Sequence, residues 1–386
     1  MAGSLASRTL ARPSFETAFE PATFVRAMLA FESALARAQA HEGVIPQAGA
    51  DAISRACACI HIDVDALIAQ GKRSATLAVP LVDMLRAEIA KASPDDAKLA
   101  HKGATSQDVL DTAMALCLRP CLDETDRALE AAIGSLAARA REHRAAPMLG
   151  RTLMQPAVPI TAGLKIARWA AALARDRERL AEAAVDALAV QFGGPVGALE
   201  AFGAKGPAVR HRLAMELGLR DTPSWQSHRN AWVDLLARMG VVVLSAGKIA
   251  RDVSLMAQPE VGEMLEAPAR EGVGASSAMP HKRNPVACVH ALAAAARLPG
   301  LMASLYASNV AEHERALGGW QAELALVPEI AGALGTSLDF LDTIATSLVV
   351  DTQRMRENVE RYGEASSASF DTAIDELLAE LTPYFS

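Results

Sequence analysis

The sequence is poor in aromatic residues, which make up 4% of its 386 positions although apolar residues make up 51%. Much of the apolar share is alanine, the strongest helix former, whose small side chain lets helices approach closely. We find no convincing run of alternating polar and apolar residues, which is the pattern of a half-buried strand, and no repeat of solenoid length. The composition therefore predicts an all-α fold.

The sequence also lacks an excess of positive charge and long apolar runs. Its formal net charge is −7, so we do not expect a nucleic-acid-binding surface, which needs a strongly basic face. The N-terminal segment has no signal-peptide pattern, and no run of about 18 apolar residues predicts a membrane span. These features predict a cytoplasmic protein that binds neither nucleic acid nor a membrane.

Paired cysteines are not expected, because the chain has five, an odd number. Such a count favours reduced thiols over a disulfide framework. Cys57-x-Cys59 and Cys117-x3-Cys121 lack the histidine pair that would complete a zinc site. We therefore predict free thiols and no metal site.

Proline is absent from three long segments, residues 160–194, 224–258 and 329–382. A helix of about 35 residues would be about 50 Å long. Apolar residues recur at helical spacing from Ile166 to Leu173, with charged residues mostly on other faces. These segments predict an extended bundle of long helices.

Breaks rich in glycine and proline suggest three regions. We expect an N-terminal helical domain at residues 1–104, a central long-helix bundle that forms the oligomer core at residues 105–350, and a short C-terminal helical remnant at residues 351–386. Residues 364–369 are typical of a linker before a short final helix.

The segment Gly274-Ala-Ser-Ser-Ala-Met-Pro-His-Lys-Arg-Asn-Pro285 combines small residues with a dense set of hydrogen-bond donors. A loop of this kind suits closing over a substrate that carries carboxylates. The alternative is a solvated connection with a basic tip.

Two further segments carry candidate polar groups. Thr105 and Ser106 precede an apolar helical run, where they would cap a helix whose N-terminus can also bind an anion. Gly150-Arg-Thr-Leu-Met-Gln-Pro156 precedes another long helix. Its Arg151 could contact substrate or form a surface ion pair.

The stretch from Ser276 to Pro285 resembles the signature of the fumarase/aspartase superfamily, Gly-Ser-Ser-x-Met-Pro-x-Lys-x-Asn-Pro, with Ala275 where glycine is usual. The resemblance implies a fumarase/aspartase-like long-helix bundle with a shortened C-terminal domain. It also implies that Ser276 and Lys282 are the catalytic residues, and either of them could relay the proton.

The two further segments resemble the superfamily's Thr-Ser-x-Asp-x-x-Asp-Thr and Arg-Thr-x-x-Gln regions. Leu153 stands where most lyases of this group have an acid/base histidine, so their mechanism does not carry over whole. The resemblance implies contact with substrate for Thr105, Ser106, Gln107, Arg151, Gln155, Ser277 and Asn284.

Residues 191–199 and 311–323 resemble segments of bacterial 3-carboxy-cis,cis-muconate cycloisomerases, and residues 223–229 do so less closely. This resemblance implies closure of a polycarboxylate diene to a lactone, with no cofactor. His228 and His313 become further candidates for substrate binding. Residues 75–80 depart from the family pattern, which puts the substrate's identity in doubt.

Three alternatives stay open at this point: a fumarate-releasing lyase of adenylosuccinate type, a cycloisomerase of a sulfonated muconate, and a non-catalytic protein of the same fold. Leu153 weighs against the first, because a leaving group would need another acid. The superfamily resemblance also implies a homotetramer whose active sites combine residues of several subunits.

Overall fold

The computed structural model describes residues 9–267, 273–275, 279, 282–363 and 369–381. The predicted site residues Ser276 and Ser277, and residues 364–368 of the linker predicted at 364–369, lie outside this part of the chain. The N-terminal part of the described chain forms these helices: α1 (Pro13–Ala18), α2 (Pro21–His41), α3 (Gln47–Cys59), α4 (Val64–Ser74), α5 (Ala78–Ala90) and α6 (Pro94–Ala97).

The rest of the described chain contains long helices and short strands. In chain order these elements are α7 (Ser106–Glu142), β1 (Pro147–Thr152), β2 (Gln155–Thr161), α8 (Ala162–Ala187), a 3-10 helix (Glu200–Lys205), α9 (Gly206–Leu217), α10 (Asn230–Met256), β3 (Met264–Glu266), α11 (Val286–Ser308), α12 (Gly319–Ser347), β4 (Leu348–Val350), α13 (Thr352–Tyr362) and α14 (Asp371–Ala379). The domain division near residues 104 and 350 stays a prediction.

Helix α7 has 37 residues and is therefore about 55 Å long. Its start has the cap that the sequence predicts, and the Thr105 backbone N–H donates to the Asp108 carboxylate at 3.0 Å. Pro120 lies inside this helix, so the search for long segments without proline did not predict α7. A proline removes one backbone hydrogen bond, but burial of flanking residues such as Leu118 and Leu129 holds the helix in place.

The five long helices pack side by side. α8 lies against α7 and α10, and α12 contacts α7, α10 and α11. On α10, Leu235, Leu236, Met239, Val242 and Val243 recur at helical spacing and are fully buried. The predicted all-α bundle of long helices is confirmed.

Two short antiparallel strand pairs, the hairpin β1–β2 and the long-range pair β3–β4, were not predicted. The first turns at Leu153 and Met154, which have φ of 50° and 64°. Such two-residue turns normally carry glycine or asparagine, and neither residue is present here to indicate a turn. Leu153 is 97% exposed and Met154 70% exposed, which makes the hairpin tip apolar and open to solvent.

Two helices, Val286–Ser308 and Gly319–Ser347, are apolar enough over 18 residues to cross a membrane by length and composition. The sequence did not lead us to expect such segments. In the second helix 61% of the apolar window is buried within the bundle, as in the core helix of a globular protein. In the first only 22% is buried, so a single chain leaves an apolar helix face uncovered.

Candidate active site

Four donors converge on the buried carboxylate of Asp108 in the first turn of α7. Oδ1 accepts hydrogen bonds from Gln191 Nε2 (2.9 Å) and from the Gly193 N–H (3.0 Å). Oδ2 accepts from the backbone N–H groups of Thr105 and Gly194, both at 3.0 Å. Burial raises the pKa of Asp108 to about 6, against the opposing effect of these hydrogen bonds. The carboxylate thus fastens the 193–194 turn to the start of α7.

A second set of hydrogen bonds ties the loop that carries His313 to the same helix start. Gln107 Nε2 donates to the carbonyl oxygen of Gln226 at 2.9 Å, and Gln226 Nε2 donates to the carbonyl oxygen of Glu314 at 2.7 Å. The preceding His313 is exposed and has a φ of 49°. A non-glycine residue in this conformation is strained, and such strain often accompanies function.

The long helices are joined beside this site by a buried ion triad. Arg229 contacts Asp111 on α7 and Glu323 on α12, each at 2.6 Å, and lies 4.7 Å from the centre of the Trp225 ring. Burial opposes the charge of Arg229, but the two carboxylates outweigh it and raise the pKa of the guanidinium. The neighbouring His228 is exposed. The triad therefore fixes the loop that presents His228.

Removing one carboxylate of the triad should destabilise the protein strongly. We expect Glu323→Ala to lower the free energy of unfolding by about 3–5 kcal/mol, because it leaves a buried charge with half of its partners. Glu329→Ala is the matched control, since Glu329 lies on α12 like Glu323 but forms an exposed ion pair with Arg297 of α11. Its loss should cost less than about 1 kcal/mol. Urea unfolding at one protein concentration measures both, and equal losses would contradict this role of the triad.

These contacts define a helix-start cluster, a group of predicted substrate-binding residues around the N-terminus of α7. Thr105 is 9% exposed, whereas Gln107 is fully buried. The Gln107 amide donates to Asp111 as well as to Gln226, so in the single chain it supports the site from within. The members are Thr105, Ser106, Gln107, His228 and His313.

A second group, the hairpin-loop cluster, contains Arg151, Gln155, Lys282 and Asn284. Arg151 forms a two-pronged ion pair with Glu263, at 2.7 and 2.8 Å. The ion pair that the sequence left as an alternative for Arg151 is thus present, but its carboxylate is buried. Gln155 is exposed near the hairpin tip.

The base of the signature loop is closed by its own backbone. The Asn284 N–H donates to the carbonyl oxygen of Gly274 at 2.8 Å, and its Nδ2 donates to the same oxygen at 3.2 Å. Glu266 accepts hydrogen bonds from Ala287 and Cys288, in the first turn of α11. Lys282 is exposed beside this base. The loop is therefore anchored next to the N-terminus of α11, whose first-turn N–H groups are bound by the Glu266 carboxylate.

The two clusters lie at opposite ends of the protein. Thr105 precedes α7, and the hairpin begins shortly after α7 ends, about 55 Å further along the helix axis. Asn284 precedes α11, and the His313 loop follows its end, about 35 Å away. A small substrate cannot contact both clusters of one chain.

Sequence reasoning missed several groups that organise the site, including Gln191, Gln226, Glu263 and Glu323. Gln191, Gln226 and Glu323 lie in segments that resemble the family, but nothing singled out these residues within them. Each of the four is a buried polar residue whose partner lies far away in sequence, so no local pattern showed what it contacts. The 3.6-residue period identifies buried positions but not their partners. Among the described residues, no group of three or more His, Cys, Asp or Glu side chains could hold a metal ion.

Comparison with known proteins gives a consistent assignment. A protein family described as "Lyase" matches residues 9–300. A 3-carboxy-cis,cis-muconate cycloisomerase of Bradyrhizobium diazoefficiens is 45% identical over 91% of this chain and 78% of its own length. The protein of the same name from Acinetobacter baylyi is 42% identical over 89% of this chain and 76% of its own length.

The fold comparison agrees. The crystal structure of a 3-carboxy-cis,cis-muconate lactonizing enzyme from Pseudomonas putida superposes with a TM-score of 0.87 and 36% sequence identity. The match covers 99% of this chain and 85% of that one. The chain therefore belongs to this lyase family, within the fumarase/aspartase superfamily.

Proposed function

We propose that this protein is a cycloisomerase that closes 3-carboxy-cis,cis-muconate to a carboxymuconolactone, a step of aromatic catabolism. The observation that carries the proposal is its relatedness to two proteins of that name, at 45% and 42% identity over 91% and 89% of the chain. The presence of the signature loop and of the capped α7 start supports it.

The residues suit the chemistry of lactone closure. A carboxylate oxygen of the substrate bonds to one alkene carbon, and the alkene electron pair takes a proton at the neighbouring carbon, so no group leaves. Negative charge spreads during this step into the carboxylate next to the protonated carbon, and fixed donors stabilise it. Thr105 and Ser106 at the α7 start, together with Lys282 and Asn284, are the donors that we assign to this task.

The proton relay falls to the signature loop. Leu153 occupies the position of the usual histidine, and a leucine side chain cannot transfer a proton. Ser276, which lies outside the described residues, and Lys282 are the two candidates. Lactone closure needs one group that delivers a proton to carbon. Fumarate release needs one group that removes a proton from carbon and a second that protonates the leaving group, so the leucine favours ring closure.

We further propose that the protein works as a homotetramer with active sites shared between subunits. The opposite placement of the two clusters supports this, because a second copy can bring its hairpin-loop cluster to the helix-start cluster of the first. Exposed apolar side chains on the long helices offer the contact surface, namely Val241 and Leu244 on α10 and Val289 and Tyr306 on α11. Light scattering should give four times the chain mass, and a monomeric mass would contradict the shared site.

We place the protein in the cytoplasm. All five cysteines lie in the described part of the chain and are free, and Cys59 is exposed. Free thiols persist in a reducing compartment.

A direct assay tests the reaction. Purified protein is mixed with 3-carboxy-cis,cis-muconate, and the loss of diene absorbance is followed while the product is identified by NMR. We expect turnover to a lactone. Turnover of adenylosuccinate with fumarate release, or of a sulfonated muconate only, would replace the proposed substrate. No turnover of any of these compounds would favour a non-catalytic role.

A further inference from the structure

We propose that Glu32 and His101 form a positioning pair that holds the backbone leading into α7, and that this pair sets an alkaline limit to substrate binding. The inference rests on the proposed function, since it assigns the α7 start as a carboxylate-binding element. Neither residue is among the site residues predicted from the sequence, although His101 lies just before the Thr105–Ser106 segment.

The pair is short and shielded from solvent. His101 Nδ1 lies 2.6 Å from Glu32 Oε1, and the side chains are 16% and 0% exposed. Glu32 Oε2 has no hydrogen-bond partner within the described part of the chain. The buried carboxylate of Glu32 therefore depends on His101, and breaking the pair would leave an uncompensated buried charge.

The backbone that this pair holds is strained and leads directly to the helix start. His101 has a φ of 61° and Gly103 a φ of 71°. A non-glycine residue in the left-handed region persists only where its surroundings impose it. Arg86 donates to the Ala100 carbonyl at 3.0 Å, and Gln39 donates to the Lys102 carbonyl at 2.7 Å. These contacts hold the peptides on either side of His101, while the ion pair holds its side chain.

The protein surroundings of His101 make the pair sensitive to pH. Burial lowers the pKa of His101, but the Glu32 carboxylate and, more weakly, Asp108 outweigh it, so that the pKa is raised overall. Arg86 lowers the pKa of His101. Glu32 faces His101 from α2, Asp108 from α7 and Arg86 from α5. Because the folded-state pKa lies above the unfolded value of about 6.5, the stabilisation is complete below that pH and is lost as pH rises through the folded pKa.

The loss of the charge on His101 should loosen the turn at residues 100–104 and the anion-binding end of α7 that follows it. The turn at residues 100–104 supports substrate binding and does not take part in the chemical step. We therefore expect KM to rise above the His101 titration midpoint while kcat changes much less.

The test combines a His101 titration with steady-state kinetics. In wild-type protein, the imidazole of His101 is titrated by NMR, and KM for 3-carboxy-cis,cis-muconate is measured over the same pH range. We expect the two midpoints to coincide. Glu32→Gln should lower the His101 midpoint and raise KM at neutral pH by about tenfold or more. Glu42→Gln is the matched control, since it removes a half-buried carboxylate 2.8 Å from the exposed His41 at the end of the same helix, and it should change neither quantity.

Two results would overturn the inference: a KM that stays flat across the wild-type His101 titration, or an unchanged His101 midpoint in Glu32→Gln. The wild-type comparison decides the matter even if Glu32→Gln does not fold. The titration needs no turnover, so an absence of muconate turnover would count against the proposed function, whereas an unshifted His101 midpoint would count against the pair.

Discussion

Two inactive variants should restore activity to each other when they are mixed in one oligomer. Ser106→Glu places a carboxylate at the α7 start, where it repels the substrate while remaining favourable for the helix, because acidic residues stabilise a helix N-terminus. Lys282→Met removes the cation of the hairpin-loop cluster. If each site combines Ser106 of one copy with Lys282 of another, a random mixture regains native sites, and we expect about a quarter of wild-type activity in equimolar hetero-oligomers.

The measurement is turnover after the two variants are co-expressed with different affinity tags and purified through both. Each variant alone, purified in the same way, sets the baseline. A double variant that carries both changes is the control, because it has no native site in any combination. If mixed oligomers form but stay at the baseline, the helix-start cluster and the hairpin-loop cluster do not contribute to one shared site, and the shared-site proposal is wrong.

Substitutions of Lys282 should separate charge stabilisation from proton transfer. Lys282→Met should lower kcat by about a hundredfold to a thousandfold, since it removes a donor that faces the charge of the transition state. Lys282→Arg keeps a cation, but its guanidinium stays protonated at every accessible pH. We therefore expect Lys282→Arg to recover part of the activity if Lys282 only binds a carboxylate, and none if it relays the proton.

The comparison needs a partner and a control. Ser276→Ala is the partner, because an undiminished kcat in that variant would remove the serine from the proton path. Lys91→Met is the control, since this exposed lysine pairs with neighbouring Glu88 in the N-terminal region and lies in neither cluster. If Lys282→Met keeps wild-type kcat, the assignment of this lysine to the reaction is wrong.

The structure explains why Arg151 was ambiguous in the sequence. Its neighbours predict only that it is a cation near a turn. Its partner Glu263 lies 112 residues away, and Asn358 on α13 donates to the same carboxylate at 2.8 Å. This arrangement fixes the hairpin against α13, which the local sequence of the hairpin cannot encode.

The role of Gln107 was likewise ambiguous in the sequence. The Thr-Ser-Gln segment suggests three side chains that face the substrate. In the fold, the Gln107 amide is buried between Gln226 and Asp111, so it positions the site from behind. The spacing between Thr105 and Gln107 is the same whether Gln107 faces the substrate or supports the site from behind. Only the packing of the loop at residue 226 decides between these two roles.

The sequence by itself determined the features that depend on near neighbours along the chain. Alanine content and the 3.6-residue period give the long helices, and the Thr105–Asp108 cap sets the start of α7, because these interactions join residues that are three or four positions apart. The signature segment likewise identified the superfamily.

The tertiary structure alone decided which helix ends meet. It placed the α7 start beside the loops at residues 193, 226 and 314, and it put Lys282 and Asn284 at the other end of the bundle. Helix length converts a separation in sequence into tens of ångströms, and the order of the helices in the bundle decides which ends face each other. For that reason the division of the site into two distant clusters appears only in the folded chain.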